Sequence, residues 1–360
     1  FHIIASHSDS PSFKIKENPE IVVEKTYVKL NVEKYGGMLM APWFDRPLSI
    51  AGRVIVRKDG KLEEKLIDFD RNLVMIPNLA IHMNREVNDG YQSNIREANS
   101  GVSYNPQKDM LPLFSMGGSD VSLQKLLSTQ LDVEEKDILS HDLFLYNRME
   151  GSIWGAENEF ASSARLDDLQ CAFASLKGFL GAQKQDCIAV HCVLDNEEVG
   201  SGTKQGAAST FLKDTLLRIN SGLGRTYEEY LMTLADSFMI SADNAHALHP
   251  NYTDKADPVN HPLLNKGIVI KYNANQKYCT DAVSAAVFKD LCDRAGVPWQ
   301  TFVNRSDIPG GSTLGNISNT QVPMNTVDIG LPQLSMHSPY ETAGVRDTEY
   351  FVKAAKEFFA

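Results

Sequence analysis

The sequence predicts an α/β protein with a β-rich insertion, and three observations carry that reading. Apolar runs of strand length at 1–5, 187–194, 237–242 and 267–272 stop abruptly at polar or acidic residues. Patterns with the 3.6-residue helical period lie at 164–180, 278–295 and 347–358, and strand alternating with helix means an α/β domain. Between residues 16 and 154 the texture changes to alternating strands and turns. The α/β domain is therefore discontinuous, 1–15 with 155–360, and 16–154 is the insertion.

Composition narrows the class. A chain of 360 residues suits one large domain or two medium ones, and 42% apolar with 22% charged residues is ordinary for a globular protein. No run approaches the roughly 20 apolar residues of a membrane span, and no signal peptide opens the chain, so a cytoplasmic location is expected. Five cysteines without CxxC spacing read as buried thiols in a reducing compartment. A net charge of -11 argues against nucleic acid or an anionic membrane as partner. The chain opens on Phe1, directly in a strand-like run, which suggests that a segment precedes it.

The first strand is closed by Ser6-His7-Ser8-Asp9-Ser10-Pro11, whose proline bars further pairing in a central strand. His-x-Asp spacing lets His7 bind a metal through one ring nitrogen while Asp9 steadies the other. Within the insertion, residues 27–32 alternate, and Asp59-Gly60 joins two alternating runs across 54–67, a strong hairpin signal. Residues 76–82 end in His82, which alone reads as a surface histidine, and lead into a polar segment through Tyr91 and Asn94. An amphipathic helix at 120–131 and an acidic linker follow.

Ala164-Arg165-Leu166-Asp167-Asp168 then opens a helix whose apolar stripe is Leu169, Ala172, Phe173, Leu176, Phe179 and Leu180. Capping would explain one of the two aspartates, since a carboxylate there satisfies free N–H groups. The strand at 187–194 stops at Asp195-Asn196-Glu197-Glu198, and the strand at 237–242 runs into Asp243. Lys271 interrupts the apolar run at 267–272, a cost in a core unless it faces a cavity or a partner. Strand-like 301–304, a Gly310-Gly311-Ser312-Thr313 loop, a strand at 326–330 and the turn Ser335-Met336-His337-Ser338 precede the last helix.

The strand ends collect His7, Asp167, Glu197, Glu198, Asp243 and His337. Ligand crevices form at such ends in open α/β sheets. Two histidines with four acids lack the sulfur of a structural zinc site and exceed the needs of one tetrahedral ion. Two ions sharing a bridging carboxylate use the set, each with one His and one further acid, and leave one Glu as general base.

HSDSP, RLDD, DNEEVGS, SADNAHALHPNY, GIVIKYNANQKY and QLSMHSPYE resemble, in order and from end to end, the motifs of the aspartyl aminopeptidase (M18) family of di-zinc metallopeptidases. The resemblance implies a mixed-sheet exopeptidase domain with an inserted dimerisation domain. It implies one zinc held by Asp167, Glu198 and His337 and another by Asp167, His7 and Asp243, with manganese or cobalt as possible occupants. Asp9 would orient His7, and Glu197 would be the base. Lys271 would meet an acidic first residue of a peptide substrate, His246 would belong to the substrate site, and His82 would reach a neighbouring subunit's active site. A tetrahedral dodecamer built from dimers is implied as well. The sequence departs from the family where the helix and strand usual before HSDSP are missing, and where Pro339-Tyr340 stand in place of Ile-Arg. Two other readings stay open: a di-metal aminopeptidase of neutral or broad specificity, and a non-catalytic, metal-stabilised shell protein.

Overall fold

The structure, a computed structural model, describes residues 1–85, 87, 104–183 and 187–360. Tyr91 and Asn94 lie outside them. The chain divides into two compact units, residues 1–10 with 151–360 and residues 11–150. The boundaries expected after residues 15 and 154 fall five and four residues earlier in the chain, after residues 10 and 150.

In the first unit, six strands among the described residues form one sheet in the order Ala189–Leu194, His2–His7, Phe238–Ala242, Asn325–Gly330, Ile268–Tyr272, Trp299–Val303. The first four run parallel. His2–His7 carries the consecutive apolar residues Ile3, Ile4 and Ala5, as a strand covered on both faces favours, and residues 3 to 7 are buried. Its register with its neighbours pairs His7 with Leu194 and Ala5 with Ser241. The turn after Leu194, the end at His7 and Asp243 therefore emerge along one edge of the sheet. That is the carboxyl edge at which α/β sheets hold ligands.

The helix Leu166–Gly181 departs from its expected packing. Leu169, Phe173, Leu176 and Leu180 are exposed, while Gln170, Cys171, Ala174, Ser175 and Gly178 are buried. Close approach to the helix Asp347–Phe359 explains this, because a Cβ at Gly178 would run into Ala355 and the backbone of Lys356. Small residues let the two backbones meet and turn the large ones outward.

A smaller sheet, unforeseen from sequence, orders Ala245–His246, Pro332–Leu334, Glu341–Gly344, Phe160–Ser163 and Ser152–Trp154. The turn carrying His337 joins two of its antiparallel strands, and Ser335 and His337 themselves have left-handed φ values of 58° and 66°. The helix expected from residue 278 starts at Ala282, where Asp281 and Ser284 form a capping box, which frees Tyr278 from the helix.

Among its described residues the second unit has a six-stranded antiparallel sheet with its own apolar core, including Phe13, Ile15, Leu48, Ile50 and Leu145. Its hairpin pairs Lys58 with Lys61 across Asp59 and Gly60, both with positive φ, as a two-residue primed turn requires. Among the described residues no helix is long and apolar enough to cross a membrane, and the five cysteines form no disulfide.

Candidate metal centre

The site is built around Asp167, in the first turn of the helix Leu166–Gly181. Its backbone (φ -82°, ψ 108°) and that of Asp168 are non-helical, the peptide between them is cis, and neither side chain caps the helix. The capping explanation thus fails. Asp168 instead accepts the backbone N–H of His7 at 3.1 Å through Oδ2. Asp167 is 2% exposed and stands between two imidazoles: Oδ1 lies 3.4 Å from His7 Nε2, and Oδ2 lies 3.6 Å from His337 Nε2.

Each imidazole has a second carboxylate. His7 Nε2 is 3.8 Å from Asp243 Oδ1, and His337 Nε2 is 3.2 Å from Glu198 Oε2. On the other side of the His7 ring, Nδ1 faces the Asp9 carbonyl at 3.1 Å and the Asp9 carboxylate at 3.3 Å. Asp9 does more than steady that ring. Its two carboxylate oxygens accept the backbone N–H groups of Glu197 and Glu198 at 3.0 and 3.1 Å, which joins the two acid-bearing strand ends.

Electrostatics mark the cluster as short of positive charge. Burial first, then Asp243, pushes Glu197 up to about 7, and burial with Asp167 beside it pushes Glu198 to about 10. Burial also works against Asp167, yet His337 and His7 hold its carboxyl below the usual range. Burial opposes protonation of His7, but Asp167, Asp243 and Asp9 outweigh it and raise its pKa. Buried acids crowded in this way keep their protons unless cations replace them. Asp167 Oδ1, Asp168 Oδ1 and Glu198 Oε1 are buried without accepting a hydrogen bond.

Donor atoms of His7, Asp167 and Glu198, and those of Asp167, Asp168 and Asp243, lie within 4.8 Å of one another. Oxygen and imidazole donors without thiolate suit zinc, manganese or cobalt in a hydrolytic site. The residues present therefore fit metal ions.

A cleft opens on the cluster, lined by Glu197, His246, Lys271, Tyr278, Phe302 and Thr313 among others. Lys271 is 3% exposed, and it has both the cavity and the partner that a charge in an apolar strand calls for. It donates to the Asn244 carbonyl at 2.8 Å, lies 3.5 Å from Asp243 Oδ2, and sits over the Tyr278 ring. Burial would lower its pKa, but Asp243 outweighs that and raises it. His246 is exposed, with its ring 6.0 Å from that of Phe302. His82 belongs to the other unit, exposed in the single turn Ile81–Met83.

Sequence reasoning missed Asp168, weighed only as a cap, and Glu341, whose two oxygens accept the N–H groups of Asp167 and His337. Glu341 stood inside a quoted motif, but a carboxylate that binds backbone leaves no periodic signal.

The profile of the family described as "Aminopeptidase I zinc metalloprotease (M18)" matches residues 1–359. The chain is 47% identical, over all of its length and 82% of the relative's, to a "Probable M18 family aminopeptidase 2" of Clostridium acetobutylicum. Among solved structures, the cryo-EM structure of the Ape4 and Nbr1 complex aligns with a TM-score of 0.92 at 36% identity, covering 100% of this chain and 71% of that one. The yeast mApe1 dodecamer aligns with a TM-score of 0.82 at 26% identity, covering 99% and 79%.

Proposed function

The chain belongs to the M18 family of zinc metallopeptidases, and from that premise we propose that this metalloaminopeptidase removes acidic N-terminal residues from peptides at a two-metal site with Glu197 as general base. The observation that carries the reading is the single Asp167 carboxylate with one oxygen toward each of two imidazoles, 3.4 and 3.6 Å away, as a bridge between two ions requires. Asp167, Glu198 and His337 would hold one ion, and Asp167, His7 and Asp243 the other. When bound, the ions supply an acidified water and polarise the scissile carbonyl.

The remaining work belongs to side chains. The Glu197 carboxylate takes a proton as the water oxygen attacks the carbonyl carbon, and returns it to the leaving nitrogen as the C–N bond breaks. Asp9 holds Glu197 and Glu198 through their N–H groups and steadies the His7 ring. Lys271 is the one Lys or Arg among the described residues lining the cleft. An ammonium has three donors, and a substrate carboxylate competes for one of them. His246 and His82 complete the substrate site in this reading, His82 from a neighbouring subunit. Assembly is as a tetrahedral dodecamer built from dimers, with the insert as dimerisation domain, and the yeast mApe1 dodecamer among the structural neighbours supports the twelve-subunit part of this reading. A cytoplasmic location accords with cysteines that form no disulfide.

The ion pair of Lys271 with Asp243 favours a second reading, neutral or broad specificity, because the lysine's charge is already matched. Lys271→Met separates the two. Under the acidic reading kcat/KM falls at least tenfold for N-terminal Asp or Glu peptides relative to Leu peptides, since one half of a desolvated pair is worth about 2 to 5 kcal/mol; an equal fall for all peptides selects the second reading. Glu197→Gln tests the mechanism. It should keep bound zinc and lose at least about a hundredfold in turnover, in line with general-base contributions of roughly 10²- to 10⁴-fold. Near-normal turnover with full metal content removes Glu197 from its role.

A further inference from the structure

We infer that Glu341 is a positioning residue for the metal centre, fixing the separation of Asp167 and His337 through their backbones. Glu341 is 2% exposed and opens the strand Glu341–Gly344. That strand pairs with Phe160–Ser163, Glu341 opposite Ser163, four residues before Asp167. His337 lies four residues before Glu341 in the preceding turn. One carboxylate thus reaches both ligand-bearing segments: Oε2 accepts the Asp167 N–H at 3.0 Å, and Oε1 accepts the His337 N–H at 2.7 Å. These are the two residues whose side chains meet at 3.6 Å.

A buried carboxylate that spends each oxygen on a different backbone N–H makes two strong, directional bonds. An amide cannot copy this. Glutamine offers one acceptor oxygen, and its NH2 opposes an N–H in either orientation. His337 has a left-handed backbone, φ 66°, so its segment holds that shape only where its surroundings fix it. Glu341 supplies part of that fixing. Groups that hold ligands in place typically change metal affinity by about 10- to 100-fold when removed.

The inference rests on the two-metal reading, and the experiment separates their failures. Zinc is titrated by competition with a chromophoric chelator into the metal-stripped full chain, as wild type, Glu341→Gln, Glu341→Asp and Thr342→Val, alongside thermal unfolding without metal. Thr342 is a neighbouring control whose hydroxyl meets Ser162 Oγ at 2.7 Å and no metal-site residue. The two Glu341 variants should bind zinc about 10- to 100-fold more weakly, with Thr342→Val unchanged. A purely structural role would lower the unfolding midpoint of the metal-free chain and leave zinc affinity in place. Zinc affinity within twofold of wild type in either folded Glu341 variant overturns the inference. So does failure of both to fold, which would make Glu341 a folding residue. A wild type that binds no zinc sinks both readings.

Discussion

Asp167 concentrates the chemistry of the site in one side chain, because its two oxygens face separate imidazoles while its N–H is held by Glu341. Asp167→Ala should therefore weaken both ions, whereas His7→Ala or Asp243→Ala should preferentially empty one and His337→Ala the other. Zinc stoichiometry at limiting free zinc checks this, and equal loss in all four variants would remove the bridge. The residues that end an apolar run, His7, Glu197, Glu198 and Asp243, were legible in the sequence because a strand that stops at a charge is visible without a fold. Asp168 and Glu341 were not, since their partners are backbone N–H groups, those of His7 and Asp167 distant in sequence and that of His337 within a turn. Lys271 was legible as an anomaly, yet its Asp243 partner was invisible until the two strands were set in place.

The helix Leu166–Gly181 shows why periodicity finds an element more readily than its orientation. Its large apolar residues repeat with the right period, but the face that meets the helix Asp347–Phe359 is the small one around Ala174 and Gly178. Close backbone approach there outweighs the burial of larger side chains. Phe173 is 54% exposed, so Phe173→Ala should change stability by no more than about 0.5 kcal/mol. A buried phenylalanine would cost about 3 to 5 kcal/mol. Ala174→Leu, which overfills the contact, should cost about 1 to 3 kcal/mol. Urea unfolding of the metal-free chain measures both, and a larger loss from Phe173→Ala than from Ala174→Leu would reverse the assignment. The small sheet holding the His337 turn escaped sequence analysis for a related reason: its strands run from two to four residues, too short for alternation to register.

Two compact units with separate cores make the whole molecule divisible, and the sequence exposed that division as a change of texture because a half-solvated antiparallel sheet alternates while a doubly covered sheet does not. The insert should then fold alone. A fragment of residues 11–150 is expected to unfold cooperatively, since Phe13, Ile50, Leu145 and their neighbours form a core within it. Its sheet also carries an apolar surface. Leu62 and Leu66 are 69% and 79% exposed on one face of the edge strand Lys61–Asp68, four residues apart with Glu64 between them, and exposed leucines on an edge strand invite association. If the insert is the dimerisation domain, the fragment should sediment as a dimer. Leu62→Lys with Leu66→Lys should return it to a monomer that still unfolds cooperatively, at a midpoint that no longer depends on concentration, because neither side chain belongs to the core. A fragment that stays monomeric at every concentration, while folding cooperatively, would take dimerisation away from the insert. A dimer untouched by the two lysines would keep dimerisation in the insert and move the contact off this face.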